Sequence, residues 1–208
     1  SIIATPTLTV TAPNGGQSWY VNTTQNITWA YTGQVSNNLE LRYSTDDGVT
    51  WPDAKIIATG VSNVGGTYAW LLPEAVSTTV KVKVTDLNAP VVNDKSNNPF
   101  VIQAPTLTIT APAGGESWTA LSTKTITWSS SPGVHANLTI QYSTDGGSVW
   151  TTLSTAEAND GAYTWTPLPD VQFTTCQVKI IDADRSATFD TSDSNFNIAS
   201  PYVTVTAP

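Results

Sequence analysis

The residues best suited to chemistry in this chain are turn-side carboxylates and tryptophans. The sharpest local motif is Ser44-Thr45-Asp46-Asp47-Gly48-Val49-Thr50-Trp51, and it recurs as Ser143-Thr144-Asp145-Gly146-Gly147-Ser148-Val149-Trp150. The first copy matches the Asp-box spacing Ser-x-Asp-x-Gly-x-Thr-Trp, and the second lacks only the threonine. Asp boxes occur in sialidase propellers, so an enzyme has to be weighed. A propeller needs ~4–8 four-stranded blades, and two boxes do not build one. The physical reading is a hairpin lock that opens on Ser44 or Ser143. The carboxylate of Asp46 or Asp145 accepts backbone N–H groups in the turn. Gly48 or Gly147 supplies a positive φ, and Trp51 or Trp150 folds beneath.

A second group of acids, Asp182, Asp184, Asp190 and Asp193, follows the sixth apolar run of the second half, where the first half has Asp86, Asn88 and Asp94. Calcium takes 6–8 oxygen ligands, and a calcium site between modules would stiffen an array. These four aspartates are therefore calcium candidates, although their spacing matches no EF-hand loop. The competing reading is a polar hairpin filled with Asp, Asn and Ser. No other cofactor is implied.

Nucleophilic catalysis finds no support. His135 is the sole histidine, and the first half has Ser36 in its place, so it reads as a solvated loop residue. Without a second histidine or a reactive cysteine no nucleophile–base pair can be assembled. Cys176 stands where the first half has Val80 and reads as a small apolar core residue. No acid pair is distinguished from turn chemistry as a glycosidase pair would be, so no catalytic residue is expected. Trp29, Trp70, Trp128 and Trp165 alternate with polar residues and read as core. Trp19, Trp51, Trp118 and Trp150 lie beside turns, where an indole face is placed to stack on a sugar; this makes surface glycans candidate partners. Asn22, Asn26 and Asn137 begin Asn-x-Thr sequons and are glycosylation candidates.

The elements that position these residues repeat. Thr7-Leu8-Thr9-Val10-Thr11-Ala12-Pro13 returns as Thr106-Leu107-Thr108-Ile109-Thr110-Ala111-Pro112, and again as Tyr202-Val203-Thr204-Val205-Thr206-Ala207-Pro208. All 8 tryptophans fall into four matched pairs. Each repeat carries seven short runs of alternating apolar and polar residues, the period of half-buried strands. In the first repeat these centre on Leu8 and Val10; Ile27 and Trp29; Leu39, Leu41 and Tyr43; Trp51 to Ile57; Tyr68 and Trp70; Val80, Val82 and Val84; Phe100 and Ile102. Turn residues separate them, and no stretch has helical periodicity. The pattern predicts an all-β chain of two tandem seven-stranded immunoglobulin-like β-sandwiches. Residues 5–104 form the first and 105–200 the second. Residues 1–4 read as the end of a preceding repeat, and 201–208 as the first strand of a following one. The link Gln103-Ala104-Pro105 predicts a short, stiff, extended connection.

The string Gly-Gly-Glu-Ser-Trp (114–118), Ile-Thr-Trp (126–128), Tyr-Ser-Thr-Asp-Gly-Gly (142–147) and Tyr-x-Trp (163–165), with Val-Lys-Val-x-Asp at 82–86, resembles a known repeat. It is similar to the Ser/Thr-rich immunoglobulin-like modules of large bacterial and archaeal surface proteins and to the repeat of fungal cell-wall assembly proteins. The resemblance implies spacer, stalk or accessory modules with no catalytic residue.

Composition points the same way. Charged residues are only 12% of the chain and the net charge is −8, with 8 Lys and Arg in all, which excludes a phosphate-tracking surface for nucleic acid. Cys176 is the only cysteine, so no intrachain disulfide forms. No apolar run is long enough to span a membrane. No signal-peptide pattern is visible, so a secreted protein would carry its targeting segment elsewhere. The expectation is a non-catalytic structural or adhesive segment of a long extracellular or cell-surface protein, a building block of a stalk, sheath or filament. Its expected partners are adjacent similar modules. The alternatives are carbohydrate-binding accessory modules of a secreted hydrolase and decorative domains of a phage virion.

Overall fold

The structure is a computed structural model that describes residues 5–170 and 172–201. The chain divides into two compact units, Ser1–Ala104 and Pro105–Pro208. The repeat fragments expected at residues 1–4 and 201–208 lie outside the described residues, apart from Pro201.

In the first unit the described strands are β1 (Thr7–Ala12), β2 (Ser18–Tyr20), β3 (Thr24–Thr32), β4 (Leu39–Ser44), β5 (Ile56–Val61), β6 (Thr67–Leu71), β7 (Ser77–Asp86), β8 (Asn93–Lys95) and β9 (Phe100–Gln103). One antiparallel sheet has the order β1-β3-β6, and the other β2-β9-β7-β4-β5 with β8 also on β7. The alternation explains the layering. Leu8, Val10, Ile27, Trp29 and Trp70 point inward from the first sheet, and Leu39, Leu41, Val80, Val82, Val84, Phe100 and Ile102 from the second. The residues between them, such as Thr9 and Lys83, lie on the outer faces, as the two-residue period of a strand requires. The chain crosses between the sheets in the order of an immunoglobulin-like sandwich.

The second unit repeats the plan. Its strands are β10 (Leu107–Ala111), β11 (Ser117–Thr119), β12 (Lys124–Ser130), β13 (Asn137–Ser143), β14 (Thr151–Ala158), β15 (Ala162–Trp165), β16 (Phe173–Asp182), β17 (Arg185–Thr191) and β18 (Phe196–Ala199). The sheets are β10-β12-β15 and β11-β18-β16-β13-β14, with β17 on β16. Cys176 is fully buried and lies across from Phe196, as Val80 lies across from Phe100.

Three features differ from the sequence reading. The fourth strand of the first unit starts at Ile56, not near Trp51. Pro52 lacks an N–H for the ladder, and a single 3-10 turn, Asp53–Lys55, intervenes. The second unit has Thr151 in place of Pro52, and β14 starts there. Short strands β2 and β11 add in parallel to β9 and β18 (Trp19 opposite Ile102, Trp118 opposite Ile198), and three residues are too few to show alternation. The last strand is split. β8 and β9 share one edge of β7, and buried Ser96 bridges the break by accepting from Val82 N–H (3.1 Å) and donating to the Pro13 carbonyl (2.7 Å). Ser192 repeats the first contact with Val178. Among the described residues no helix is long and apolar enough to cross a membrane.

Candidate functional site

The Asp-box segments sit at the β4–β5 and β13–β14 connections. Ser44 is fully buried at the end of β4, and its hydroxyl donates to Asp46 and accepts from Gly48 N–H at 3.0 Å. The Asp46 carboxylate takes the Thr50 N–H at 3.0 Å and the Thr50 hydroxyl. Gly48 holds φ at +76°, with Trp51 Cζ2 only 3.2 Å from where a Cβ would stand. The indole N–H of Trp51 closes the turn on the Gly48 carbonyl at 3.1 Å. The Ser44 hydroxyl, then the Thr50 hydroxyl and N–H, hold the Asp46 carboxyl well below the usual carboxylate range.

The second copy keeps the arrangement with different donors. Ser143 donates to Asp145 at 2.7 Å and accepts from Gly147 N–H at 2.9 Å. Asp145 accepts the N–H groups of Ser148 (3.0 Å) and Val149 (2.9 Å), and Gly147 holds φ at +89°. The missing threonine is replaced by one more backbone donor. The Ser143 hydroxyl, followed by the Val149 N–H, lowers the Asp145 pKa. Trp150 lies under Lys179, 5.7 Å from the ring centroid.

The acids near the sixth strand do not gather into one site. Asp182 is fully buried at the end of β16, where its carboxylate accepts the N–H groups of His135 (3.0 Å), Asp184 (3.1 Å) and Arg185 (3.2 Å) and faces His135 Nδ1 at 3.0 Å. Asp190 turns to the other sheet and accepts Ile109 N–H at 2.7 Å. Asp193 is exposed. Among the described residues the one group with metal-ligand geometry is His135, Asp182 and Asp184, and Asp182 is already occupied by backbone donors. Asp182 and Asp190 thus sit on paired strands of one sheet with their carboxylates committed to different partners, Asp184 lies in the turn between those strands, and Asp193 follows β17.

The first unit shows the same division of labour. Buried Asp86 accepts Ser36 N–H (2.8 Å), the Ser36 hydroxyl (2.5 Å) and Asn88 N–H (2.9 Å). Burial alone would raise its pKa, and these donors, with Ala89 N–H, outweigh burial and lower it. Asp94 accepts Val10 N–H at 2.8 Å, joining the edge of β1 to the opposite sheet. An unpaired buried N–H costs about 1–3 kcal/mol, so each of these carboxylates is part of the fold. His135 corrects the sequence reading. It is half-buried and clamped to Asp182, because the loop before β13 folds onto the end of β16.

Trp29, Trp70, Trp128 and Trp165 are core, and Trp118 joins them at 7% exposure. Trp19 is half-buried against Phe100, with ring centroids 5.0 Å apart. Burial pushes the Cys176 thiol pKa up, so it has no thiolate character at neutral pH. Asn26 and Asn137 are exposed on β3 and β13, and Asn22 sits in the turn before β3 at φ +57°.

Asn63 and Asn159 escaped the sequence reading. Each accepts the indole N–H of a core tryptophan, Trp29 at 2.9 Å and Trp128 at 3.0 Å. A buried indole N–H demands an acceptor, and an asparagine shortly before Gly66 and again before Gly161, three residues ahead in one unit and two in the other, is the available signal.

Fold and site together define an immunoglobulin-like tandem whose polar clusters bind its own backbone. The sequence matches no protein-family model, and no curated protein matches it. Among solved structures it is similar to the fibronectin(III)-like modules of Clostridium thermocellum CbhA, with 16% identity over 92% of each chain and a TM-score of 0.31. A chimeric titin Z1Z2 carrying a decorin peptide is 15% identical over 96% of this chain and 100% of that one, with a TM-score of 0.40. SGBP-B of the Bacteroides ovatus mixed-linkage glucan utilization locus, solved in complex with a mixed-linkage heptasaccharide, is 10% identical over 94% of this chain and 47% of that one, with a TM-score of 0.29. The fold assignment rests on the strand order.

Proposed function

We propose that this chain is a non-catalytic structural segment of a long extracellular or cell-surface protein, in which similar modules follow one another in a stalk, sheath or filament. One observation carries this reading. Of the acids that sequence spacing offers for chemistry, Asp184 and Asp193 are exposed, and Asp46, Asp86, Asp94, Asp145, Asp182 and Asp190 each accept backbone N–H groups of their own unit. They are committed to holding loops and sheet edges, and both units commit them in the same way. Low charge and hydroxyl-rich strand faces suit a module exposed to solvent along its length.

Antibodies raised against the chain test the location. On intact producing cells they should label the surface without permeabilisation, and external protease should remove the label. Signal that appears only after permeabilisation would overturn the reading.

A further inference from the structure

The outer face of the first unit's larger sheet carries an arrangement that the second unit lacks. Five of the 8 Lys and Arg residues, Arg42, Lys55, Lys81, Lys83 and Lys95, belong to this sheet and its Asp-box connection. Arg42 on β4 lies directly across from Lys83 on β7, and Lys83 directly across from Lys95 on β8. Directly opposed residues share a face, so the three cations form one row. The matching row in the second unit is Gln141, Lys179 and Thr191.

Opposed like charges destabilise a sheet, and internal acids relieve only part of this row. Arg42 is answered by Glu40 at 2.5 Å and Asp53 at 2.8 Å, and Lys81 by Asp47 at 2.9 Å. Among the described residues neither Lys83 nor Lys95 has a carboxylate within ion-pair distance. Both flank Trp51. Lys83 Nζ stands 5.9 Å from the ring centroid. Lys95 Nζ is 3.7 Å, and Trp51 Cζ2 3.2 Å, from the position a Cβ would take on Gly48. Two unanswered ammonium groups and an indole edge therefore meet on one open face of a chain whose net charge is −8.

We propose that this face, centred on Lys83, Lys95 and Trp51, binds an acidic polysaccharide, its carboxylate or sulfate groups meeting the two lysines and a sugar ring meeting the indole edge. Charge complementarity selects an anion. The described residues form no pocket, so the surface suits a polymer lying across strands about 4.8 Å apart rather than an enclosed small molecule. The binding does not depend on the stalk or filament role, and a chain that bound no polymer would leave that role as it stands.

The test is affinity electrophoresis of the whole chain through gels holding polygalacturonate, dextran sulfate or neutral dextran, with melting curves alongside. Retardation is expected with at least one charged polymer, weakening as sodium chloride is raised, and none with neutral dextran. Whichever charged polymer retards the chain identifies the anion. Lys83→Gln with Lys95→Thr should weaken binding about tenfold or more without lowering Tm, because a like-charge contact is removed. Lys83→Arg with Lys95→Arg should keep it. The proposal fails if neither charged polymer retards the chain, if neutral dextran does so equally, if the Gln/Thr variant binds as the parent does, or if the Arg variant loses binding while remaining folded.

Discussion

Asp86 in the first unit and Asp182 in the second hold one position in two copies of a fold, with different side chains facing them. Ser36 meets Asp86 with its hydroxyl and its N–H, whereas His135 meets Asp182 with its ring and its N–H. The backbone donor is common to both and the side chain is exchangeable. The same holds at the hairpins, where the Thr50 hydroxyl on Asp46 gives way to Ser148 N–H on Asp145. What the units share is a set of carboxylates and amides that satisfy backbone and indole N–H groups. They part on the outer sheet face, where Arg42, Lys83 and Lys95 stand against Gln141, Lys179 and Thr191. Scaffold chemistry is fixed between the copies, and surface chemistry is where they are free to specialise.

The comparison can be strained hardest at Gly66 and Gly161, whose carbonyls accept the N–H groups of Trp29 and Trp128. A Cβ on Gly66 would lie 2.3 Å from the Trp29 carbonyl oxygen, against 3.4 Å for Gly161 and Trp128. Gly66→Ala should destabilise the first unit by roughly 3 kcal/mol or more, while Gly161→Ala costs the second about 1 kcal/mol, the strain of a positive φ. Urea denaturation followed by tryptophan fluorescence would show it, and equal effects would break the contrast.

Removing the indole acceptors is expected to come next. Asn63 is buried at 3% exposure and Asn159 is half-buried. Asn63→Ala should cost about 2–3 kcal/mol, and Asn159→Ala nearer 1 kcal/mol, because water can reach the second indole. The same denaturation experiment decides this.

Acid should act on both units in one direction. Asp46, Asp86 and Asp145 have folded pKa values below their unfolded ones. Their stabilisation is present above the ordinary carboxylate range, and is lost as pH falls through the lowered values. Tm should hold nearly level from about pH 7 to about pH 5 and drop steadily below about pH 4. A Tm that rises on acidification would contradict the assigned donors.

The smallest effect belongs to the surface row. Lys95→Thr should raise the stability of the first unit by a few tenths of a kcal/mol, and Thr191→Lys should lower that of the second by a similar amount. Differential scanning calorimetry of both variants would show whether the signs oppose.

The strand pattern was legible because Thr-rich alternation has only one structural reading, and the matched tryptophans marked equivalent places. Register-level chemistry was not. Ser36 and Asp86 are fifty residues apart in sequence, and nothing local announces that one loop folds onto the other. His135 looked solvated for that reason. Asp182 and Asp190 stand on paired strands of one sheet, yet the Asp190 carboxylate serves β10 of the opposite sheet while Asp182 serves the loop before β13, and spacing alone does not show which way a side chain is committed. Pro52 is the exception: its missing N–H is readable in the sequence, and it sets the start of the fourth strand back to Ile56.

The most direct test of whether these acids serve the fold is the melting of Asp86→Asn and Asp182→Asn in the whole chain. Residues held for a ligand or a reaction commonly cost stability, and their replacement leaves Tm unchanged or raises it. Residues that satisfy buried N–H groups do the opposite, because an amide offers one acceptor oxygen and turns its N–H₂ against the remaining donors. Both substitutions should lower stability by about 2 kcal/mol or more, with or without added calcium or chelator. An unchanged or raised Tm for Asp182→Asn, or a parent Tm that climbs with calcium, would show that this carboxylate is kept for something other than the fold.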